Sequence, residues 1–141
     1  MDACTDLASW VQPSTVLAWV AEEVEMLNRV APGAKKVLLC ALGYAYARRI
    51  FDGAEIARAC RVDPVLQPLC GDSPPFATEL RTFRRRSRQV LERLLTRVFT
   101  RAYRHRFELA GVDLPEELVN KLRSLAAERL DLARHMDAGE C

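Results

Sequence analysis

The sequence lacks any hydrophobic stretch long enough to cross a membrane. Its longest apolar run covers residues 37–47, whereas a helix that spans a bilayer needs about 20 apolar residues. The first six residues, Met-Asp-Ala-Cys-Thr-Asp, have neither the basic start nor the apolar stretch of a secretory signal. We therefore expect a cytoplasmic protein that has no membrane partner.

The sequence also lacks the residue clusters that mark catalytic and metal sites. Its five cysteines are scattered without a Cys-x-x-Cys pair, and His105 and His135 are isolated. Zinc usually needs three or four closely spaced ligands, and no glycine-rich phosphate loop is present. The scattered aspartates are typical of helix caps rather than of a two-metal site. We predict free thiols, no metal, no cofactor, no small-molecule substrate and no enzymatic activity.

Strand patterns are missing as well, which predicts an all-α fold. Runs rich in Ala, Leu, Arg and Glu alternate with short Pro/Gly breaks, and no segment alternates with a period of two. No linker divides the chain, so residues 1–141 are predicted to form one helical bundle. The predicted helices cover residues 14–29, 34–51, 55–60, 64–69, 76–109 and 114–136.

Two of these helices have distinctive patterns. The second is apolar on nearly all sides, which is typical of a helix at the centre of a bundle. The fifth is predicted as one long arginine-rich helix of about 50 Å, a length that leaves a bend or a break open. The apolar positions of this helix share one side: they are Phe76, Leu80, Phe83, Val90, Leu91, Leu94, Val98 and Ala102.

The net charge of +2 conceals a strong segregation of charge along the chain. Residues 81–106 contain ten arginines and a single acid, Glu92, whereas residues 1–30 and 107–141 are both net acidic. Arginine has a planar fork of donors that suits phosphates and base edges. The arginine block therefore indicates either a nucleic-acid surface or a solvated face that pairs with the acidic ends.

Four consecutive segments carry a resemblance to a known family. They read LLCALGYAYA, FDGAEIARAC, PVLQPLCG and PFATELRTFRRR, and they lie within residues 34–100. In this order and spacing they resemble the N-terminal helical domain of insertion-sequence transposases of the InsH-like type. The resemblance implies an all-helical core with a helix-turn-helix-like element that recognises transposon ends.

The chain departs from this family in two respects. The family commonly has an Asp-His pair after the loop proline, where this sequence has Phe76 and Ala77. The family's domain precedes a catalytic domain with three metal-binding carboxylates, but only one further helix is predicted after residue 106. We therefore expect a free-standing, non-catalytic relative of the recognition domain.

The helix-turn-helix prediction places a DNA site after the loop at Pro74 and Pro75. The first residues of a recognition helix contact base edges in the major groove, and flanking arginines reach phosphates. The partner is expected to be duplex DNA, and a second copy of the chain or a partner transposase stays open. The alternative is a protein-interaction or dimerisation domain that does not bind DNA. The predicted base contacts are Thr78, Arg81, Thr82, Arg85 and Arg88, and the predicted phosphate contacts are Arg84 and Arg86.

The last predicted helix, residues 114–136, carries a leucine side and many acids. It is expected to pack on the core by folding back along the arginine-rich helix, or else to pair with a second subunit. Folding back would bring its acids toward the later arginines and leave Arg81, Arg85 and Arg88 uncovered. The expected acids are Glu116, Glu117, Glu128 and Asp131, and the expected arginines are Arg93, Arg97, Arg101 and Arg104.

Overall fold

The computed structural model describes residues 11–30 and 36–139, and the side chains of residues 11–27 and 36–136. This part of the chain contains seven α-helices and no strand, so the predicted all-α fold class is confirmed. The termini of the predicted domain 1–141 and residues 34 and 35 of its predicted core lie outside the described residues. The helices are α1 (Pro13–Val30), α2 (Lys36–Ala47), α3 (Gly53–Val62), α4 (Gln67–Cys70), α5 (Ala77–Arg86), α6 (Arg88–Arg106) and α7 (Glu116–Gly139).

Helix α2 lies at the centre of the bundle, as its apolar pattern predicts. All ten residues from Leu38 to Ala47 are buried, and α1 and α6 both pack against α2. Gly43 marks the closest approach, because a Cβ atom there would lie 2.9 Å from Leu94 Cδ2 and 3.0 Å from Val20 Cγ1. The absence of a side chain at Gly43 thus lets three helices meet at one point.

The arginine-rich segment is not one continuous helix, because it breaks into α5 and α6 at Ser87. Arg84 and Arg88, on the two sides of the break, each have a separate partner in the fold. Val90 follows the break and is 40% exposed, whereas a continuous helix predicts it in the core. Phe76, also predicted to be in the core, lies before the first residue of α5 and is 62% exposed.

Helix α7 packs along α6 after a short loop. The loop turns at Gly111, whose φ of 77° is in the left-handed region that favours glycine. Arg88 near the start of α6 pairs with Asp131 late in α7, so the two helices run in opposite directions. Leu132 of α7 is 37% exposed, and the buried apolar residues of α7 are Leu122, Leu125, Ala126, Leu130 and Ala133.

Helices α3 and α5 pack against each other on one side of the bundle. Asp52 caps α3, as predicted, since its Oδ1 accepts a hydrogen bond of 3.3 Å from the Ala54 N–H. Residues 63–76 connect the two helices and include α4, so the connection is longer than the three- or four-residue turn of the simplest helix-turn-helix. The helix-turn-helix-like core therefore stays a prediction. No helix in the described part of the chain is both long enough and apolar enough to cross a membrane.

Candidate nucleic-acid interface

The outer side of α5 presents four of the seven predicted DNA contacts. Thr78, Thr82, Arg85 and Arg86 are all exposed, and their spacing of three or four residues places them on one side of the helix. Leu80 on the opposite side is fully buried. We call Thr78, Thr82, Arg85 and Arg86 the α5 face.

Arg84 does not belong to this face, and its predicted contact with phosphate is wrong. Its side chain is only 5% exposed. Nη1 donates a hydrogen bond of 2.5 Å to the Phe51 carbonyl, and Nη2 donates one of 3.4 Å to the Ala133 carbonyl. Because residue 84 follows the buried Leu80 by one helical turn, it points inward. Arg84 thus attaches α5 to the loop after α2 and to α7.

Arg81 and Arg88 are also engaged within the protein, although both were expected to be uncovered. Arg81 is half-buried across the start of α3, where a Cβ atom on Gly53 would lie 2.9 Å from Arg81 Nε. The Nη2 atom of Arg88 lies 2.7 Å from Asp131 Oδ1. These two arginines therefore contact the neighbouring helices α3 and α7, and their base contacts stay predictions.

Two residues near the start of α5, Arg61 and Phe76, were not among the predicted DNA contacts. The guanidinium of Arg61 lies 5.8 Å from the centre of the Phe76 ring, a cation–π contact. Phe76 precedes α5, and its N–H donates a hydrogen bond of 3.2 Å to Glu79 Oε1. An exposed aromatic ring with an arginine over it therefore lies at the N-terminal end of α5.

Two of the later arginines, Arg97 and Arg101, are paired, but with helix α1 rather than with α7 as expected. The Nε atoms of Arg97 and Arg101 each lie 2.7 Å from a different oxygen of Glu23. Glu23 is only 4% exposed, and Arg101 also forms an ion pair with Glu22. Burial lowers the pKa of Arg101, but its hydrogen bonds to Glu22 and Glu23 outweigh this effect and raise it above its usual value.

These ion pairs differ from the expected pairs between the acids of α7 and the later arginines of α6. Of the four α7 acids, Asp131 has a described arginine partner, and that partner is Arg88 at the start of α6. The antiparallel direction of α7 explains this result, since it carries the end of α7 back to the start of α6. The buried Glu23 was missed because an acid at helical spacing among apolar residues has no sequence signal that distinguishes it from a solvated one.

Three cysteines lie in the core and are free thiols: Cys40, Cys60 and Cys70. Burial raises the pKa of Cys40 to about 11 and, together with a hydrogen bond that the Cys60 thiol donates to the neighbouring Cys70, raises that of Cys60 to about 12. Burial likewise raises the pKa of Cys70. Within the described residues, no group of His, Cys, Asp or Glu side chains is arranged to hold a metal ion.

We expect these three thiols to resist iodoacetamide at pH 8 while the protein is folded. The thiolate is the reactive form, and raised pKa values keep the thiols protonated until well above that pH. Peptide mass spectrometry after a timed reaction would measure labelling of Cys40, Cys60 and Cys70 with and without urea. Equal labelling rates in the two conditions would contradict this expectation.

The α5 face is therefore the part of the predicted DNA site that the fold leaves at the surface. Compared with known proteins, the chain matches no family model, no curated protein and no solved structure. The resemblance to transposase N-terminal domains consequently stays a prediction from the four sequence segments.

Proposed function

We propose that this protein is a non-catalytic DNA-binding module, related to the end-recognition domains of transposases, that contacts duplex DNA through the α5 face. The observation that carries the proposal is the division of α5 into two sides. Leu80 and Arg84 anchor its inner side, while two threonines and two arginines occupy its outer side. Such a module would act in the cytoplasm.

The chemistry of the α5 face suits a DNA groove. An arginine can donate two hydrogen bonds to guanine or to a phosphate, and a threonine hydroxyl can contact either base edges or phosphates. The buried hydrogen bonds of Arg84 to Phe51 and Ala133 hold α5 in one orientation, so little conformational freedom is lost on binding. Arg61 and Phe76 add a cation and an apolar surface at the end where a recognition helix first meets the bases.

We expect the double variant Arg85→Ala, Arg86→Ala to bind duplex DNA more weakly and with less dependence on salt. Each arginine that contacts a phosphate contributes about one unit to the slope of log affinity against log salt. Fluorescence anisotropy of a labelled duplex of mixed sequence, titrated at several salt concentrations, would measure both quantities. On a site selected from random sequence, an arginine that reads a base should contribute about 1–3 kcal/mol.

The matched control is Arg93→Ala, Arg123→Ala, which removes two exposed arginines from α6 and α7. It lowers the net charge equally but leaves the α5 face intact, so its DNA affinity should stay close to that of the unmodified protein. An equal loss in both variants would mean that charge alone, and not the α5 face, determines binding. No binding at low salt, combined with a dimer in light scattering, would favour the interaction domain instead.

A further inference from the structure

A groove lies between α1, α6 and α7, on a different part of the molecule from the α5 face. Its volume is about 950 Å³, and it is lined by five arginines and two carboxylates. Most of its lining comes from one side of α6, which supplies Arg93, Arg97 and Arg104. Met26 of α1 and Val119 of α7 contribute apolar surface. We call this cavity the α6 groove.

Four of the arginines in the α6 groove have N–H donors that make no hydrogen bond to a described neighbouring residue. Arg93 is exposed and has no partner among the described residues. Arg97 uses Nε on Glu23 but is 54% exposed at its side chain, and Arg104 uses Nε on the Val112 carbonyl. Arg123 makes one long hydrogen bond of 3.4 Å to Asn120. A guanidinium has five N–H donors, so most of the donors of these four side chains are not used by the hydrogen bonds described within the protein.

The acids of the α6 groove do not cancel this charge. Glu23 is buried and already accepts hydrogen bonds from Arg97 and Arg101. Its role is structural, because it fixes two neighbouring arginines of α6 in place. Glu92 is the other carboxylate in the lining, so the groove keeps an excess of positive charge.

We propose that the α6 groove binds a compact anion that carries two or more phosphate groups. Planar arginine forks bind phosphate oxygens in pairs, and several forks around one concavity match several linked phosphates. The volume is within the range of small-molecule sites. A duplex is a poorer occupant, since Glu22, 63% exposed at its side chain on α1, and Glu92 would lie beside its backbone phosphates. This inference does not depend on DNA binding by the α5 face.

Isothermal titration of the full chain with sodium tripolyphosphate at low salt tests this proposal. The unmodified protein should bind one molecule, and Arg93→Ala, Arg123→Ala should weaken binding about tenfold or more, because hydrogen bonds between charged groups are lost. The double variant Arg85→Ala, Arg86→Ala is now the control, and its affinity for tripolyphosphate should be unchanged. The same two variants thus exchange roles between the DNA and tripolyphosphate experiments.

A gain of affinity provides a second test that misfolding cannot imitate. Glu92→Gln removes a negative charge from the groove and should tighten tripolyphosphate binding about threefold. Absence of binding to the unmodified protein would overturn the proposal, as would equal losses in both double variants or weaker binding by Glu92→Gln. If the groove variant loses affinity for duplex DNA while tripolyphosphate does not bind, the phosphates recognised are those of nucleic acid, and the proposal of a compact ligand is wrong.

Discussion

Replacing Arg129 by methionine is expected to lower the free energy of unfolding by about 2–4 kcal/mol. Arg129 is 1% exposed, although it is an arginine in the middle of α7. Its Nη1 donates hydrogen bonds of 2.7 Å and 2.9 Å to the carbonyls of Tyr46 and Ala47. The guanidinium also lies 4.7 Å from the centre of the Phe99 ring. Methionine retains much of the apolar packing but cannot donate these hydrogen bonds.

The size of this effect follows from how α2 ends. Arg49 is in the left-handed region, at a φ of 63°. The Ile50 N–H donates to the Ala45 carbonyl, and the Arg49 N–H donates to the Tyr46 carbonyl. This is a Schellman motif, which satisfies two of the last carbonyls of a helix. The Ala47 carbonyl is not reached by the motif, so without Arg129 it would be buried without this donor.

Arg123→Met is the matched control for this prediction. Arg123 also lies on α7 but is exposed, so the same substitution should change the free energy of unfolding by less than about 0.5 kcal/mol. Chemical denaturation of both variants, followed by circular dichroism, would measure the difference. If Arg129→Met were as stable as Arg123→Met, the hydrogen bonds to the end of α2 would contribute nothing to the fold.

Sequence periodicity predicts the helices of this fold better than it predicts the environments of the arginines. The apolar pattern of α2 leads directly to its central position, because a helix without a polar side must be buried. Arg84 and Arg129 were not predicted to be buried, since buried arginines are rare and depend on carbonyls supplied by distant segments. Their acceptors, including Phe51 and Tyr46, are more than thirty residues away in the chain.

The candidate DNA site was partly predictable from the sequence, because some of its features depend on local helical spacing and others on contacts with distant segments. Thr78 and Thr82 share the outer side of α5 with Arg85 and Arg86 wherever the helix begins, because their spacing is local. The orientation of that side depends on which residues of α5 are buried, and Leu80 and Arg84 occupy those positions. The break at Ser87 then places Arg88 in a different helix, where it meets Asp131 rather than the α5 face.

The second large effect is expected from Leu42→Ala, which should lower the free energy of unfolding by about 2–5 kcal/mol. Leu42 has no exposed surface and lies in α2, one residue before the point where α1 and α6 come closest at Gly43. Truncation removes buried apolar surface and leaves a cavity that neighbours on three helices cannot all move to fill. The loss should therefore fall toward the upper part of this range.

Leu132→Ala makes the same chemical change at a position that is 37% exposed on α7. Because solvent can occupy the vacated space, its effect should be about 1 kcal/mol or less. Thermal or urea denaturation of the two variants compares a central leucine with a peripheral one in the same molecule. Equal destabilisation would contradict a central position for α2, since that position requires Leu42 to contribute more than an exposed leucine. A large loss confined to Leu42→Ala would instead support a central position for α2, on which two of the helices that carry the α6 groove pack.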